Sequence, residues 1–114
     1  MVFSFTPHGQ TQVLKVSNIS VPQHNRNILG RVERLIEDGA KEFIVDLSDI
    51  DFINSTGLSF LVSVLTKTRN IGGETSLLHV SEQVSKLLVI TKLQSFFNIY
   101  ENLQDVTVVG EKAG

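Results

Sequence analysis

The chain has 114 residues, of which 41% are hydrophobic and 19% are charged, and its formal net charge is -2 at pH 7. This length suits one hydrophobic core, so we expect residues 1–114 to form a single domain. The balanced charge, without a basic cluster, argues against a nucleic-acid partner. The sequence contains no cysteine, which excludes disulfides, thiolate catalysis and cysteine-based metal sites.

The first residues alternate between apolar and polar, and no basic segment precedes them. Neither a signal peptide nor a stretch long enough to cross a bilayer is recognisable. We therefore expect a cytoplasmic protein without direct membrane insertion.

The first third of the chain predicts two strands and a helix. Residues 2–5 and 12–16 have strand character and are separated by a turn at 7–10, a pattern that favours an antiparallel hairpin. A stripe at helical spacing predicts a helix over about 25–38, and Gly39 suits the position just after it. The stripe consists of Ile28, Leu29, Val32, Leu35 and Ile36.

The central part predicts a buried strand followed by a second helix. The uninterrupted apolar run 43–45 is typical of a strand that is covered on both faces. Residues 58–69 have helical spacing, and Gly72-Gly73 ends this helix. Its predicted inner face is formed by Leu58, Leu61, Val62 and Leu65.

The last third predicts a strand over 75–80 and a helix over about 82–92 that is capped by Ser81. The cluster Phe96, Phe97, Ile99 and Tyr100 closes the core or adds an edge strand. Weaker signals indicate a short strand over 106–109 and a mobile tail from about residue 110.

The alternation of strands and helices predicts an α/β domain. Its sheet is expected to be mixed, with about four to five strands: an N-terminal antiparallel hairpin, then parallel βα units, with helices packed against the sheet. Working surfaces of such sheets gather beyond the carboxyl ends of the strands. The segment 48–56 lies at such an end.

No residue set predicts catalysis. The three histidines are scattered along the chain, without metal-ligand spacing to one another or to a carboxylate, at His8, His24 and His79. Three acids lie near a strand end, at Asp46, Asp49 and Asp51. They could form a magnesium site, but the preferred interpretation is a solvated loop with local side chain–backbone hydrogen bonds. We therefore expect a protein that is not an enzyme and has neither a metal nor a cofactor.

The segment 52–57, FINSTG, places two hydroxyls and an amide where a strand is followed by a helix. Asn54, Ser55 and Thr56 could simply be ordinary N-cap residues of the helix. Alternatively, Thr56 could be phosphorylated, since a phosphate would lie near the positive end of the helix and would add about -1.5 to -2 charge. Spacing alone favours the first interpretation.

Several motifs together resemble the STAS domain of bacterial anti-sigma factor antagonists. They are 44–48 (IVDLS), 52–58 (FINSTGL), Gly72-Gly73 before a strand, 84–88 (VSKLL), 91–93 (TKL) and 96–100 (FFNIY). The resemblance extends from about residue 2 to residue 100. It implies a regulator of transcription that binds an anti-sigma factor, itself a serine/threonine kinase, and thereby releases the sigma factor.

The resemblance also implies the site. The acceptor of the kinase's phosphate is the hydroxyl residue before Gly-Leu, which is Thr56, with Ser55 as a weaker candidate, and a phosphatase removes the phosphate. The implied partner-binding residues are Asn54, Ser55, Thr56, Gly57, Leu58 and Ser59. The family motif usually reads Asp-Ser-Ser-Gly-Leu, so Asn54 and Thr56 depart from it. The alternative function is that of a STAS interaction subunit, not phosphorylated, in a transporter, lipid-transfer or signalling scaffold complex.

Overall fold

A computed structural model describes residues 3–105, which form one five-stranded sheet and three helices. The elements follow in the order β1 (Phe3–His8), β2 (Thr11–Val16), α1 (Pro22–Glu37), β3 (Glu42–Asp46), α2 (Ser55–Arg69), β4 (Glu74–Leu78), α3 (Glu82–Ile90) and β5 (Asn98–Tyr100). Two short 3₁₀ turns, Gln94–Phe96 and Leu103–Asp105, flank β5.

The spatial order of the strands is the same as their order in the chain. β1 and β2 form an antiparallel hairpin, and β2, β3, β4 and β5 run parallel to their neighbours. This confirms the predicted mixed α/β sheet. The apolar cluster after α3 supplies the fifth strand, with Phe97 buried in the core and β5 at the edge of the sheet.

The core lies mainly between the sheet and the helices, where Leu14, Val45 and Leu77 pack with residues of all three helices. The opposite face of the same strands carries a smaller cluster of Val13, Ile44 and Leu78. Ile44 and Val45 point to opposite faces and are both buried, which confirms the prediction that β3 is covered on both sides.

α1 begins at Pro22, three residues before the predicted start. The reason is that a proline has no N–H to lose and already has a helical φ, so it suits the first helical position. Gly39 follows the helix with a φ of 108°, as predicted for a residue that ends it.

α2 begins at Ser55 rather than at residue 58, and its buried face differs from the predicted one. Phe60 and Val64 are buried together with Leu61 and Leu65, whereas Leu58 and Val62 are only half-buried. The predicted face and the observed face both contain Leu61 and Leu65 at helical spacing. Spacing alone therefore could not show which of the two faces is buried.

β1 runs to His8, three residues beyond its predicted end, so the turn comprises Gly9 and Gln10 and not residues 7–10. The remaining boundaries lie within two residues of their predicted positions. Gly72 ends α2 with a φ of 76°, and a Cβ on Gly73 would lie only 1.9 Å from the Lys41 carbonyl oxygen. Ser81 caps α3 as predicted, because its Oγ accepts a hydrogen bond from the Val84 N–H at 3.1 Å. α3 ends at Ile90, two residues before its predicted end.

The predicted strand over 106–109 and the tail from about residue 110 lie outside the described residues. Within residues 3–105, no helix is both long and apolar enough to span a membrane.

Candidate functional site

The loop from β3 to α2 leaves the carboxyl end of a central strand and is held at several points. The Leu47 N–H donates to the Leu78 carbonyl at 2.9 Å, which keeps the loop on β4 at first. Ile50 and Ile53 are then buried in the core. Phe52 lies between them and is 68% exposed. The loop is therefore anchored by its isoleucines and presents Phe52 at the surface.

Asn54 is the residue that caps α2. Its side-chain Oδ1 accepts a hydrogen bond from the Gly57 N–H at 2.9 Å, and its carbonyl accepts one from the Leu58 N–H, also at 2.9 Å. Ser55 and Thr56 follow as the first residues of the helix. Within residues 3–105, the Thr56 hydroxyl has no hydrogen-bond partner. Of these three residues, only Asn54 makes the capping bond, so the N-cap interpretation holds for Asn54 and not for Ser55 or Thr56, which are the first two residues of the helix.

The start of α2 is fastened to the loop before α1 by Asn25. This side chain is only 5% exposed, and its Nδ2 donates to the Ile19 carbonyl at 2.8 Å and to the Thr56 carbonyl at 3.4 Å. Gly57 allows the start of α2 to approach the same loop closely, because a Cβ at this position would lie 3.2 Å from Ile19 Cγ1 and 3.1 Å from Ile53 Cβ. The segment that carries Thr56 is thus fixed in position and does not form a free loop.

Sequence reasoning did not identify Asn25 as a site residue. A signal was present, since Asn25 lies three residues before Ile28 and seven before Val32, on the buried stripe of α1. A polar residue on an apolar stripe usually has a specific hydrogen-bonding role.

A groove of about 310 Å³ lies between α1 and α2 and includes Thr56. Four residues of each helix line it: Pro22, Asn25, Arg26 and Leu29 from α1, and Thr56, Ser59, Phe60 and Ser63 from α2. Arg26 is the only charged residue among these eight. The groove is therefore lined mainly by uncharged residues and contains one guanidinium group.

The six predicted partner-binding residues have different surroundings. Asn54, Ser55 and Ser59 are exposed, while Thr56 and Leu58 are half-buried. Gly57 is buried against Ile19 and Ile53, so its role in the structure is packing. The accessible part of the predicted surface consists of the exposed cap, the first turn of α2 and the side of the groove.

Two observations describe the electrostatics and polarity of this surface. The first turn of α2 carries no acidic residue, so nothing within the turn neutralises the partial positive charge of the helix start. In addition, Asn25 Oδ1 is buried without a hydrogen-bond partner in the described part of the chain. The groove therefore lies beside a helix start whose partial positive charge is not neutralised within its own turn, and its lining residue Asn25 has a buried oxygen without a partner.

The acids and histidines named in the sequence lie apart from this groove. Asp46 accepts a hydrogen bond from the Ser48 N–H at 2.9 Å, and Asp49 pairs with Lys15 at 3.8 Å. The Asp46 bond is a local contact of the kind that the solvated-loop interpretation predicts, whereas the Asp49 pair joins residues that are distant in sequence. No group of three or more histidine and carboxylate side chains that could hold a metal ion occurs within residues 3–105.

A second accessible surface lies on α3. Val89 and Ile90 are 54% and 76% exposed, and they line a shallow depression together with Val80. The start of α3 is joined to the site loop, since Ser81 Oγ donates to the Asp51 carbonyl at 2.8 Å.

The fold and the site define a small mixed α/β domain whose distinctive surface is a capped strand-to-helix junction. The sequence profile of the STAS domain matches residues 13–106 of the chain. The chain therefore belongs to the STAS domain family, as the resemblance of its motifs indicated.

Two curated relatives share part of the sequence. The TM1081 homologue of Thermotoga neapolitana, named as a candidate anti-sigma factor antagonist, is 27% identical over 73 residues, or 64% of this chain and 65% of that protein. The anti-sigma-B factor antagonist of Staphylococcus aureus is 28% identical over 68 residues, or 60% of this chain and 63% of that protein. The matches thus span less than two thirds of either relative.

Two solved structures share the fold. The crystal structure of TM1081 from Thermotoga maritima aligns with a TM-score of 0.81 at 21% identity, over 90% of this chain and 89% of that one. The Bacillus cell fate determinant SpoIIAA in its phosphorylated form aligns with a TM-score of 0.72 at 17% identity, over 90% of this chain and 95% of that one.

Proposed function

We propose that this chain is a cytoplasmic anti-sigma factor antagonist that works by partner switching. It binds an anti-sigma factor that is also a serine/threonine kinase and thereby releases the sigma factor. The kinase phosphorylates Thr56, which ends the binding, and a phosphatase restores it. The names of both curated relatives support the general role. The fold that the chain shares with SpoIIAA, which has been solved in a phosphorylated form, supports the switch.

The observation that carries the proposal is the setting of Thr56. Its carbonyl is held by Asn25, its hydroxyl has no partner within residues 3–105, and the residue lines the groove between α1 and α2. A hydroxyl that is both fixed and unpaired can be presented to a kinase without breaking an existing hydrogen bond. Ser55 is more exposed and remains the weaker candidate.

The replacement of the family's usual aspartate by Asn54 is compatible with this role. An asparagine oxygen caps a helix about as well as a carboxylate does, and Asn54 makes that bond at 2.9 Å. What it lacks is the negative charge. A phosphate on Thr56 would therefore introduce the first negative charge into the first turn of α2, which makes the two states of the surface differ strongly.

The chain itself performs no catalysis in this scheme and needs no cofactor. The Thr56 oxygen forms a bond to the γ-phosphorus of ATP, the bond from that phosphorus to the β,γ-bridging oxygen breaks, and ADP leaves. The hydroxyl proton passes to a base of the kinase. The chain contributes the acceptor and the surface on which the kinase binds, formed by Asn54, Ser55, Thr56 and Ser59.

The test is phosphorylation by the cognate kinase-type anti-sigma factor, with ATP and magnesium. We expect one phosphoryl group per chain, located on Thr56 by mass spectrometry of the peptides. Thr56→Ala should abolish it, whereas the matched controls Ser55→Ala and Ser59→Ala should retain it. If the kinase is active yet leaves Thr56 unmodified, the proposed switch is wrong.

The second candidate is a STAS interaction subunit that is not phosphorylated. The apolar surface of α3 around Val89 and Ile90 favours it, because exposed apolar residues of this size often mark contacts with a partner. The two candidates differ in one measurement. The switch requires that phosphorylated and unmodified chains bind the anti-sigma kinase with different affinities, and the interaction subunit requires no binding to such a kinase.

A further inference from the structure

We propose that the groove between α1 and α2 is an intramolecular binding site for a phosphate monoester on Thr56, and that Arg26 supplies its cation. The inference rests on the proposed function, because that function places the phosphate on Thr56. The binding itself is a property of this chain alone, and it can be measured without any kinase.

The placement of the two residues is the first argument. Arg26 belongs to α1 and Thr56 to α2, and both line the same groove. The two walls are fastened together next to them, since Asn25 precedes Arg26 and donates through Nδ2 to the Thr56 carbonyl at 3.4 Å. Because both residues line one groove, we place a phosphate on the Thr56 oxygen within reach of the long Arg26 side chain.

The second argument is that Arg26 is not engaged elsewhere. Within residues 3–105 it has no ion pair, and it lies over no aromatic ring. Lys67 of α2, by contrast, pairs with Glu33 of α1 at 2.6 Å, and Arg31 lies over Phe3 and Phe5. No acid lines the groove to compete for the guanidinium. Arginine binds phosphate through two parallel N–H···O bonds, which suits it to this role.

This site gives phosphorylation a second effect besides added charge. A phosphate held by Arg26 occupies the groove, so a partner side chain that enters the groove of the unmodified protein is excluded. It also withdraws the guanidinium from any carboxylate that a partner presents to it. The modification would therefore change the shape as well as the charge of the surface.

The test uses the full chain with phosphothreonine incorporated genetically at position 56 and follows its ³¹P NMR signal as a function of pH. A cation beside the phosphate weakens binding of the second proton. Arg26→Gln should therefore raise the second proton-binding constant by about threefold in low salt, and Arg26→Lys should raise it less. The matched control is Arg34→Gln, which removes the same charge from the same helix outside the groove. It should have less than half of this effect.

Equal effects of Arg26→Gln and Arg34→Gln would overturn the site, since only general electrostatics would then act on the phosphate. A larger effect of Arg26→Gln that disappears in 1 M salt supports it, because screening of this kind is expected for an exposed ion pair. The outcome is independent of the kinase experiment. If the kinase fails to modify Thr56, the proposed switch fails while the NMR result stands. If the NMR result fails, the switch can still operate without this site.

Discussion

Replacement of Asn25 by alanine should loosen the start of α2 from the loop that precedes α1. The change removes the hydrogen bond from Nδ2 to the Ile19 carbonyl at 2.8 Å and the longer one to the Thr56 carbonyl at 3.4 Å. It leaves the rest of α1 intact. The expected result is a moderate loss of global stability together with a larger local loosening around Thr56.

The magnitude follows from four contributions. The short bond to Ile19 lies in a buried region, and its loss costs about 1–3 kcal/mol because the carbonyl is left without this donor. The bond to Thr56 is long and adds little. Two contributions act in the opposite direction and stabilise the variant. The change removes the unsatisfied Oδ1, and alanine has a higher helix propensity than asparagine by about 0.5 kcal/mol. Together these predict that the free energy of unfolding falls by about 1–2 kcal/mol.

Asn27→Ala is a matched control, because Asn27 lies two residues further along the same helix and is exposed. It makes the same chemical change and gains the same helix propensity, but it removes no side-chain hydrogen bond within the described residues. We expect Asn27→Ala to stay within about 0.5 kcal/mol of the unchanged protein.

Urea unfolding of both variants gives the comparison, provided that the slope with denaturant is unchanged. Hydrogen exchange of the amides of Gly57 and Leu58 should be faster in Asn25→Ala than in Asn27→Ala, beyond the change in global stability. If both variants have the same unfolding midpoint and the same exchange at these amides, Asn25 does not fasten α2, and our description of the site is wrong.

Two further changes test the charge and capping of the fold. Asn54→Ala should lower the free energy of unfolding by about 1 kcal/mol, because the bond to the Gly57 N–H is lost. Asn54→Asp should keep the cap and raise the free energy of unfolding by about 0.3–1 kcal/mol. A thermal melt in which the aspartate variant is no more stable than the alanine variant would contradict this. The pKa of Glu42 is raised by burial and by the neighbouring Glu74, and Lys41 partly opposes this. Because the folded state holds this proton more tightly than the unfolded state, stability is lost as pH rises through the raised pKa. Glu42→Gln should therefore be more stable than the unchanged protein at pH 7, and the difference in urea midpoint should shrink as the pH falls to about 4; a difference that does not vary with pH would refute the assignment.

Local patterns in the sequence were sufficient for most of the fold. The hairpin, the doubly covered strand β3 and the cap at Ser81 depend on residues close in sequence, and the structure confirms all three. The buried face of α2 was predicted incorrectly, because its two possible stripes differ only in what packs against them. The close contact between Gly57 and Ile19 accompanies the observed choice, and it joins the first turn of α2 to the loop before α1, which is distant in the chain.

The candidate site likewise has one part that follows from local sequence and another part that depends on packing between distant segments. The sequence alone places the candidate site at residues 48–56, because they follow a strand that ends at the working edge of the sheet. It could not predict that Asn25 and Arg26 line a groove with Thr56, because that depends on how closely α1 packs beside α2. A groove has no signature in one helix alone. The sequence therefore identified the wall that contains Thr56 and missed the opposite one.

The way Thr56 is held also constrains how a kinase could recognise it. The residue lies in the first turn of a helix, with the Asn54 cap on one side and the Asn25 contact on the other. Unwinding this turn into an extended peptide would lose the cap, at about 1 kcal/mol, and the 3.4 Å hydrogen bond from Asn25 to the Thr56 carbonyl, which is long and adds little. A loss of that size corresponds to about fivefold in affinity. A kinase that binds the folded surface avoids this cost, and the folded surface also contains the groove and Arg26. Recognition of the intact junction is therefore favoured over recognition of a linear motif, which is consistent with a partner that both binds this protein and modifies it.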